Sequence, residues 1–168
     1  MKEVHKNFFI GNDTDCDVCR SNPEFSIIHA CKTCHQRALR YSGSLPSSHP
    51  NYLILEDSPA SIERRNLYLN MVDMSNELLP EFTNPIFKQA IAFINREIQT
   101  KKVLIHCNLG MSRSPSIGLV YLAKTGIISK KSFAEAVNEF VILYPRYSPG
   151  TGILSYMQYN WDYLMNEL

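Results

Sequence analysis

The sequence predicts an α/β fold built as a single domain. Its 168 residues are close to the usual size of one domain and long enough to bury a hydrophobic core. Strand candidates come early in the chain and helix candidates late, with the two alternating in between. That order is typical of a sheet layered against helices. No internal repeat or low-complexity segment divides the chain, so we expect one domain over residues 1–168.

Five short stretches predict the strands of the central sheet. They are short apolar runs bounded by turn residues or polar segments: residues 7–11, 25–30, 51–56, 66–73 and 101–107. Residues 41–50 (YSGSLPSSHP) are rich in Ser, Pro and Gly, which predicts a surface loop. The polar segment DSPASIERR separates the third strand candidate from the fourth.

Helix-start signals predict where the later helices begin. Asn84 and Pro85 predict an N-cap and a first helical residue, where the missing N–H of proline costs nothing. The apolar residues that would cover one face of this helix are Ile86, Phe87, Ala90, Ile91, Ile94 and Ile98. Pro115 predicts the start of a second helix, and Gly126 suits its C-terminal end.

Two more helices are predicted towards the C-terminus. Ser132 and Glu135 resemble a capping box ahead of an apolar face, which predicts a helix that begins there. The apolar spacing from Ile153 to Met165 predicts one last helix. With the earlier helices, these would flank the sheet.

The composition favours a globular protein of the cell interior. Hydrophobic residues make up 45% of the chain, and no apolar run approaches the roughly 18 residues that span a bilayer. The N-terminal stretch MKEVHKNFFIGND has no extended apolar region, so we expect no secretory signal and a cytoplasmic location, with the nucleus also open. A net charge of +1 gives no field that argues for a nucleic-acid or membrane partner. The oligomeric state stays open.

Cysteine carries most of the functional information in this sequence. Five cysteines is an odd number in a chain without an export signal, which favours chemical or metal-binding thiols over a disulfide framework. A cysteine followed after five residues by an arginine occurs three times: Cys31 to Arg37, Cys34 to Arg40 and Cys107 to Arg113. The spacing alone therefore does not identify a phosphate site.

Only the third of these segments has the setting that thiol-based phosphoryl transfer needs. Cys107 follows an apolar strand candidate, and Gly110 lets the loop curl with its N–H groups inward. Pro115 places a helix N-terminus just after Arg113, where the helix dipole favours thiolate and phosphate alike. The Arg113 guanidinium can bind two phosphate oxygens. The two upstream segments have bulky intervening residues and no glycine.

The stretch HCNLGMSRS resembles the His-Cys-x-x-Gly-x-Ser-Arg-Ser signature of the dual-specificity branch of the protein tyrosine phosphatases. NLYLNMVDMSNELLPEF is similar to the strand and acid-bearing loop before that signature, and GLVYLAKTG with KSFAEAV to the helices after it. YPRYSPGTGILSYMQYNWDYL resembles the C-terminal helix. The resemblance is good over residues 61–168 and loose over residues 1–60. It implies a single-domain fold with a central mixed sheet of about five strands flanked by helices.

The resemblance also implies roles for the loop residues. Cys107 would be the nucleophile that forms a phosphocysteine, and Arg113 would bind the phosphate and stabilise the transition state. Ser114 would hydrogen-bond the cysteine sulfur and ease its departure, and His106 would hold the loop and tune the thiolate, unless it is simply a packed histidine. The phosphate-binding loop would consist of Asn108, Leu109, Gly110, Met111, Ser112 and Arg113. No cofactor is expected.

The general acid implied by the resemblance is Asp73. It would protonate the leaving oxygen and then act as base for the hydrolytic water. An Asp after a strand can also simply cap a turn. Glu77 and Asp57 are the nearest substitutes.

The remaining cysteines form two CxxC pairs: Cys16 with Cys19, and Cys31 with Cys34. Paired CxxC motifs are a zinc signal, and His29 and His35 lie close by in sequence. Two observations count against a shared zinc site. The interval is shorter than the usual 15 or so residues, and the strand candidate inside it would hold the pairs about 20 Å apart unless the chain doubles back. Ordinary unreactive thiols are the alternative.

Cys31 has a further possible role that the resemblance implies. In some cysteine-dependent phosphatases, a cysteine that ends the strand beside the catalytic one traps the oxidised nucleophile. Cys31 follows the strand candidate 25–30 and would take that place. A disulfide between Cys31 and Cys107 would then protect the nucleophile reversibly.

The sequence favours a phosphoprotein substrate. Phosphatases of lipids tend to carry lysines in this loop, whereas Asn108, Leu109 and Met111 are uncharged. The basic residues that follow the second strand candidate, Lys32, Arg37 and Arg40, leave a phosphoinositide substrate as the alternative. Phosphotyrosine and phosphoserine or phosphothreonine are not ranked. A zinc-binding interaction domain is the alternative from another functional class.

Overall fold

The computed structural model describes residues 1–43, 45–57, 65–76 and 78–168. Within them the strands form one mixed sheet in the order β1-β2-β6-β3-β5-β4. The strands are β1 (Lys2–His5), β2 (Phe8–Gly11), β3 (Phe25–His29), β4 (Ile54–Glu56), β5 (Asn66–Leu69) and β6 (Lys102–His106). The central four strands are parallel to one another, and β1 and β4 are antiparallel at the two edges. The mixed sheet is confirmed, with β1 as a sixth strand.

Helices cover both faces of this sheet. They are α1 (Asp13–Cys19), α2 (Lys32–Ala38), α3 (Pro80–Glu97), α4 (Arg113–Lys124), α5 (Phe133–Leu143), α6 (Thr151–Tyr159) and α7 (Trp161–Asn166). Helix α4 is buried from Ser114 to Ala123 and contacts α3, α5 and α7. It is therefore the central helix of the larger layer.

Side chains of β6 alternate between two hydrophobic clusters, as the period of a strand requires. Val103 and Ile105 belong to the large cluster that includes α3 and α4. Leu104 belongs to a smaller cluster with Cys16 and Cys19 of α1. Because both faces of the strand are covered, β6 reads as a continuous apolar run, which is typical of a central parallel strand.

The predicted start of α3 at Asn84 and Pro85 is wrong. The helix begins at Pro80, directly after Leu79, which has an extended backbone. At the first helical position a backbone N–H has no partner within the helix, so the missing N–H of proline costs nothing there. Pro85 lies inside the helix and forgoes one main-chain hydrogen bond. The side chain of Asn84 accepts a hydrogen bond from the Tyr156 hydroxyl instead of capping the helix.

The C-terminal helix differs from its prediction as well. Two helices, α6 and α7, occupy the range, and they meet at Asn160, whose backbone leaves the helical region. The two short helices α1 and α2 were absent from the prediction. Helix α1 begins with a reciprocal capping box between Asn12 and Asp15.

The other element predictions agree with the structure to within a few residues. Helix α4 begins at Arg113 and α5 follows Ser132, whose hydroxyl accepts from the backbone N–H of Glu135. Gly126 has a positive φ of 75° two residues after α4 ends. No helix in the described part of the chain combines the length and apolar character of a bilayer span.

Candidate active site

The candidate site lies where the central parallel strands end. Strands β2, β6 and β3 are adjacent, and Gly11 and His29 both pair with His106 in register. The carboxyl ends of these strands therefore meet at one edge of the sheet, which is where α/β sheets bind ligands. Cys107 follows β6 at this edge, and α4 begins at Arg113. The predicted loop thus connects a buried strand to a helix N-terminus.

The loop turns its backbone carbonyls outward. Four successive carbonyls accept hydrogen bonds from groups outside the loop: Asn108 from the Asp13 N–H at 3.3 Å, Leu109 from Arg146 at 3.3 Å, Gly110 from the Tyr144 hydroxyl at 2.8 Å and Met111 from the Ser148 N–H at 2.8 Å. In a trans peptide the next N–H points the opposite way. The N–H groups of residues 109–112 therefore point into the loop, and none has a hydrogen-bond partner in the described structure. This arrangement resembles the nests of inward N–H groups that bind anions in proteins.

Gly110 is required by the curvature of this loop. Its φ of 69° is in the left-handed region, and a Cβ here would lie 2.8 Å from the carbonyl oxygen of Gly11. Any other residue would meet both the backbone penalty and that contact. The glycine noted in the sequence therefore permits the inward turn of the N–H groups.

Cys107 is buried at the base of the loop, with 1% of its surface exposed. The hydroxyl of Ser114, on the first turn of α4, donates to the Cys107 sulfur at 3.2 Å and also lies 3.3 Å from the Gly11 carbonyl. Its one proton can serve either acceptor. The structure thus places the Ser114 hydroxyl beside the Cys107 sulfur.

Arg113 is fixed by two hydrogen bonds beside the loop. Its Nη1 donates to the Met71 carbonyl at 3.2 Å, and its Nη2 donates to Asn108 Oδ1 at 2.7 Å. The Nε atom is buried and has no hydrogen-bond partner, and it lies 3.8 Å from Asp73 Oδ2. The guanidinium is therefore oriented while retaining an unused donor, an arrangement suited to binding an oxyanion.

Asp73 lies on the segment after β5, across from the loop. Its Oδ1 accepts from the Ser112 hydroxyl at 3.0 Å, and that hydroxyl oxygen accepts from the Gly150 N–H at 2.9 Å. The Asp73 side chain is one-third exposed. Asp57, in contrast, accepts from the Asn66 side chain at the opposite end of β5. The other substitute, Glu77, lies outside the described residues.

His106 is fully buried and hydrogen-bonded to a second histidine. Its Nε2 lies 2.7 Å from Nδ1 of His29, whose ring stacks on Tyr68. Burial lowers the pKa of His106 to about 4, with the charge of Arg20 adding to the effect. Burial also lowers the pKa of His29 to about 3, with His106 contributing. Both rings are therefore neutral near pH 7.

These residues line a cleft of about 450 Å³. It is lined by Asp73, Met74, Ser75, Cys107, Leu109, Met111, Ser112, Arg113, Ser148, Pro149, Gly150 and Thr151. Residues 148–151 were absent from the predicted site. The turn-forming Pro149 and Gly150 were the sequence signal for a loop there, but nothing local indicated what that loop would touch.

The four other cysteines do not gather into one zinc site. Helix α1 connects β2 to the parallel strand β3, so the chain doubles back there, which is the exception that the expected separation of the two CxxC pairs allowed. The Cys16 sulfur lies 3.7 Å from His29 Nδ1, whereas the Cys19 sulfur contacts the Met1 sulfur at 3.6 Å. All five cysteines are free thiols. Cys31 and Cys34 have other neighbours, described below.

Cys31 lies at the carboxyl end of the strand next to Cys107. It is fully buried and forms the N-cap position of α2, and β3 pairs directly with β6. Cys31 and Cys107 therefore follow adjacent parallel strands. The basic residues Arg37 and Arg40 are exposed, and neither lines the cleft of Cys107.

Comparison with solved structures gives the fold neighbours of this chain. It is similar to the crystal structure of DUSP15, with 17% identity, 99% of this chain and 90% of that chain covered, and a TM-score of 0.65. It is similar to human DUSP28, with 17% identity, full coverage of both chains (100% each) and a TM-score of 0.62. A third neighbour is PTPMT1 in complex with PI(5)P, with 14% identity, 98% and 96% coverage, and a TM-score of 0.62. These likenesses show a shared fold.

Comparison with family models identifies the family itself. A search of the curated proteins found no match. The family model described as the dual specificity phosphatase catalytic domain matches residues 56–145. Because this match spans more than half of the chain and contains the whole loop from Cys107 to Arg113, the chain belongs to the dual-specificity phosphatase branch of the cysteine-dependent phosphatases, a class of phosphoric monoester hydrolases.

Proposed function

We propose that this chain is a protein phosphatase that hydrolyses phosphotyrosine, and also phosphoserine and phosphothreonine, through a phosphocysteine on Cys107. The observation that supports this most is the set of four outward carbonyls, because it leaves four N–H groups of the loop free to bind phosphate oxygens. Arg113 adds a buried Nε that makes no hydrogen bond. Together they suit the three non-bridging oxygens of a phosphoryl group.

In the first step, the Cys107 thiolate attacks phosphorus and the bond from phosphorus to the ester oxygen breaks. The Asp73 carboxyl group donates its proton to the departing oxygen, which leaves as an alcohol or phenol. Asp73 suits this role because its side chain lines the same cleft as Cys107 and is accessible. Arg113 and the loop N–H groups bind the charge on the equatorial oxygens throughout.

In the second step, water attacks phosphorus and gives its proton to the Asp73 carboxylate. The bond from phosphorus to sulfur breaks, and the electron pair returns to the Cys107 sulfur. Ser114 donates a hydrogen bond to the emerging thiolate from 3.2 Å. His106 positions the loop from the end of β6 and takes no proton in either step.

A phosphoprotein suits the cleft better than a phosphoinositide. The rim of the cleft includes the side chain of Leu109, which is 68% exposed, and the neighbouring Met111 and Met74 are uncharged. None of the three basic residues near α2 lines the cleft. The PTPMT1 structure holds PI(5)P, so a phosphoinositide is the second candidate. The two candidates are distinguished by comparing the turnover of phosphotyrosine and phosphothreonine peptides with the turnover of PI(5)P presented in vesicles.

The test of the catalytic function is hydrolysis of p-nitrophenyl phosphate with and without a chelator. We expect turnover that does not need metal and that Cys107→Ser abolishes. Asp73→Ala should lower the rate of phosphotyrosine peptide hydrolysis about a hundredfold. The rate for p-nitrophenyl phosphate should fall less, because its good leaving group needs little protonation. Absence of turnover together with one tightly bound zinc per chain would instead support a zinc-binding interaction domain.

We also propose that Cys31 protects the nucleophile against oxidation. Peroxide would convert Cys107 to a sulfenic acid, and the Cys31 thiol would displace water from it to form a disulfide. The two cysteines follow adjacent parallel strands, which supports this pairing. Peptide mapping after peroxide treatment should find the 31–107 crosslink, and its absence would reject the hypothesis. Dependence on free thiols suits the cytoplasm or nucleus.

A further inference from the structure

A cluster of four side chains lies next to the catalytic loop but outside the cleft. Asp13 begins α1 after β2, Cys31 and Cys34 begin α2 after β3, and His106 ends β6. Because these three strands are adjacent and parallel, the four side chains converge. One carboxylate oxygen, two sulfurs and one imidazole nitrogen all lie within 4.8 Å of one another.

The hydrogen bonds of the two buried histidines show which ring nitrogen of His106 faces this cluster. Asn66 donates its Nδ2 to Asp57, so its Oδ1, 3.2 Å from His29 Nε2, is an acceptor. His29 Nε2 therefore donates to Asn66, and His29 Nδ1 lies 2.7 Å from His106 Nε2. The nitrogen of His106 that remains to face the cluster is Nδ1.

That nitrogen faces a carboxylate oxygen of Asp13. His106 Nδ1 lies 3.3 Å from Asp13 Oδ1, and both atoms are buried and without a hydrogen-bond partner. A buried polar atom without a partner is costly. A cation shared by the two atoms would give each of them a partner. The sulfurs of Cys31 and Cys34 belong to the same cluster, in which one ligand atom of each residue lies within 4.8 Å of the others.

We propose that Asp13, Cys31, Cys34 and His106 bind a zinc ion, so that the Cys31 thiol would be available to Cys107 only after the zinc is released. Two thiolates, one imidazole and one carboxylate form a complete tetrahedral set for zinc. With bond lengths of about 2.0 to 2.3 Å, the ligand atoms of a tetrahedral zinc lie about 3.3 to 3.8 Å apart. The pair formed by Asp13 and His106 already has that separation, at 3.3 Å. The other pairs, all within 4.8 Å, need to approach by no more than about 1.3 Å.

A zinc ion here would be coupled to the catalytic loop. The second oxygen of Asp13, Oδ2, accepts from Asn108 Nδ2 at 3.0 Å. Asn108 Oδ1 in turn accepts from Arg113 at 2.7 Å. His106 adds a covalent connection, since it precedes Cys107 directly. The zinc would therefore hold the orientation of the loop without contacting the phosphate, so we expect binding to raise the melting temperature of the protein.

The experiment uses zinc and cobalt on the Cys107→Ser variant, because the catalytic thiolate could itself bind metal. Under reducing conditions, titration against a chromophoric chelator should show one zinc per chain. Cobalt should give the sulfur-to-metal absorption of a site with two thiolates. Cys34→Ser and Asp13→Asn should each weaken zinc at least tenfold. Cys19→Ser is the matched control, because Cys19 is a buried cysteine outside the cluster, and it should bind zinc unchanged.

Several outcomes would overturn the proposal. One is the absence of zinc binding by Cys107→Ser. Another is equal binding by Cys34→Ser, whose fold is checked by circular dichroism. A third is loss of binding in Cys16→Ser but not in Cys34→Ser, which would place the metal at the neighbouring group of Cys16, His29 and His106. None of these measurements needs enzymatic turnover, so the zinc proposal and the proposed phosphatase function can fail separately.

Discussion

The segments from Cys31 to Arg37 and from Cys107 to Arg113 have the same spacing but different structures. Each cysteine follows a parallel strand of the sheet, and the two strands are neighbours in register. After Cys31 the helix begins at once with Lys32, and the carbonyl of Cys31 accepts from the His35 N–H. After Cys107 five residues of loop precede the helix, which begins only at Arg113.

This difference determines where the polar backbone groups and the arginine point. In the first segment the helix begins at once, its later N–H groups enter helical hydrogen bonds, and Arg37 is exposed on its surface. In the second segment the N–H groups of the loop remain free, and Arg113 is held beside them by Met71 and Asn108. The position at which the helix starts therefore decides which segment presents free N–H groups beside its arginine.

The largest difference between the segments should appear when each arginine is replaced. Arg113→Lys should lower kcat for a phosphotyrosine peptide roughly 10²- to 10³-fold. A lysine ammonium cannot bind two phosphate oxygens side by side and also keep the hydrogen bonds to Met71 and Asn108. Arg37→Lys, the matched change on an exposed surface, should leave kcat within about twofold of the wild type. Similar losses in both variants would show that the comparison is wrong.

Two glycines with similar positive φ test whether the loop needs Gly110 only for its backbone conformation or also because a Cβ there would contact a neighbouring backbone atom. Gly110→Ala should lower the free energy of unfolding by about 2 kcal/mol and kcat/KM at least tenfold, because the new Cβ meets the Gly11 carbonyl. Gly126→Ala has a similar φ of 75° with nothing within 4 Å of the added Cβ, so it should lose only about 1 kcal/mol and keep its activity. Urea unfolding and steady-state kinetics measure both. Equal activity in the two variants would contradict the role of Gly110.

The smallest expected effect is at the residue after each arginine, which is Ser114 in one segment and Ala38 in the other. Ser114→Ala should slow breakdown of the phosphocysteine about tenfold, because it removes the hydrogen bond to the leaving sulfur. Rapid-quench kinetics should then show a burst followed by slow turnover. The variant Ser116→Ala removes a neighbouring buried hydroxyl that bonds Ser112 and Tyr147 instead. It should show no such accumulation.

Much of the fold and the centre of the site could be predicted from local sequence. The strand before Cys107, Gly110 within the loop and the helix after Arg113 are consecutive, so the chemistry of these residues largely specifies the turn. Signals that allow more than one solution were less informative. Pro85 satisfied the rule for a helix start, yet Pro80 satisfies it too, and no local signal ranks one above the other.

Residues adjacent in the chain set the turn from β6 to α4, so the loop from Cys107 to Arg113 could be predicted from local sequence. What surrounds that loop depends on contacts between segments that are far apart in the chain. The carbonyl partners Tyr144, Arg146 and Ser148 come from a distant segment, and residues 148–151 complete the cleft. The convergence of Asp13, Cys31 and Cys34 on His106 likewise depends on the order of the strands in the sheet, which no local pattern specifies.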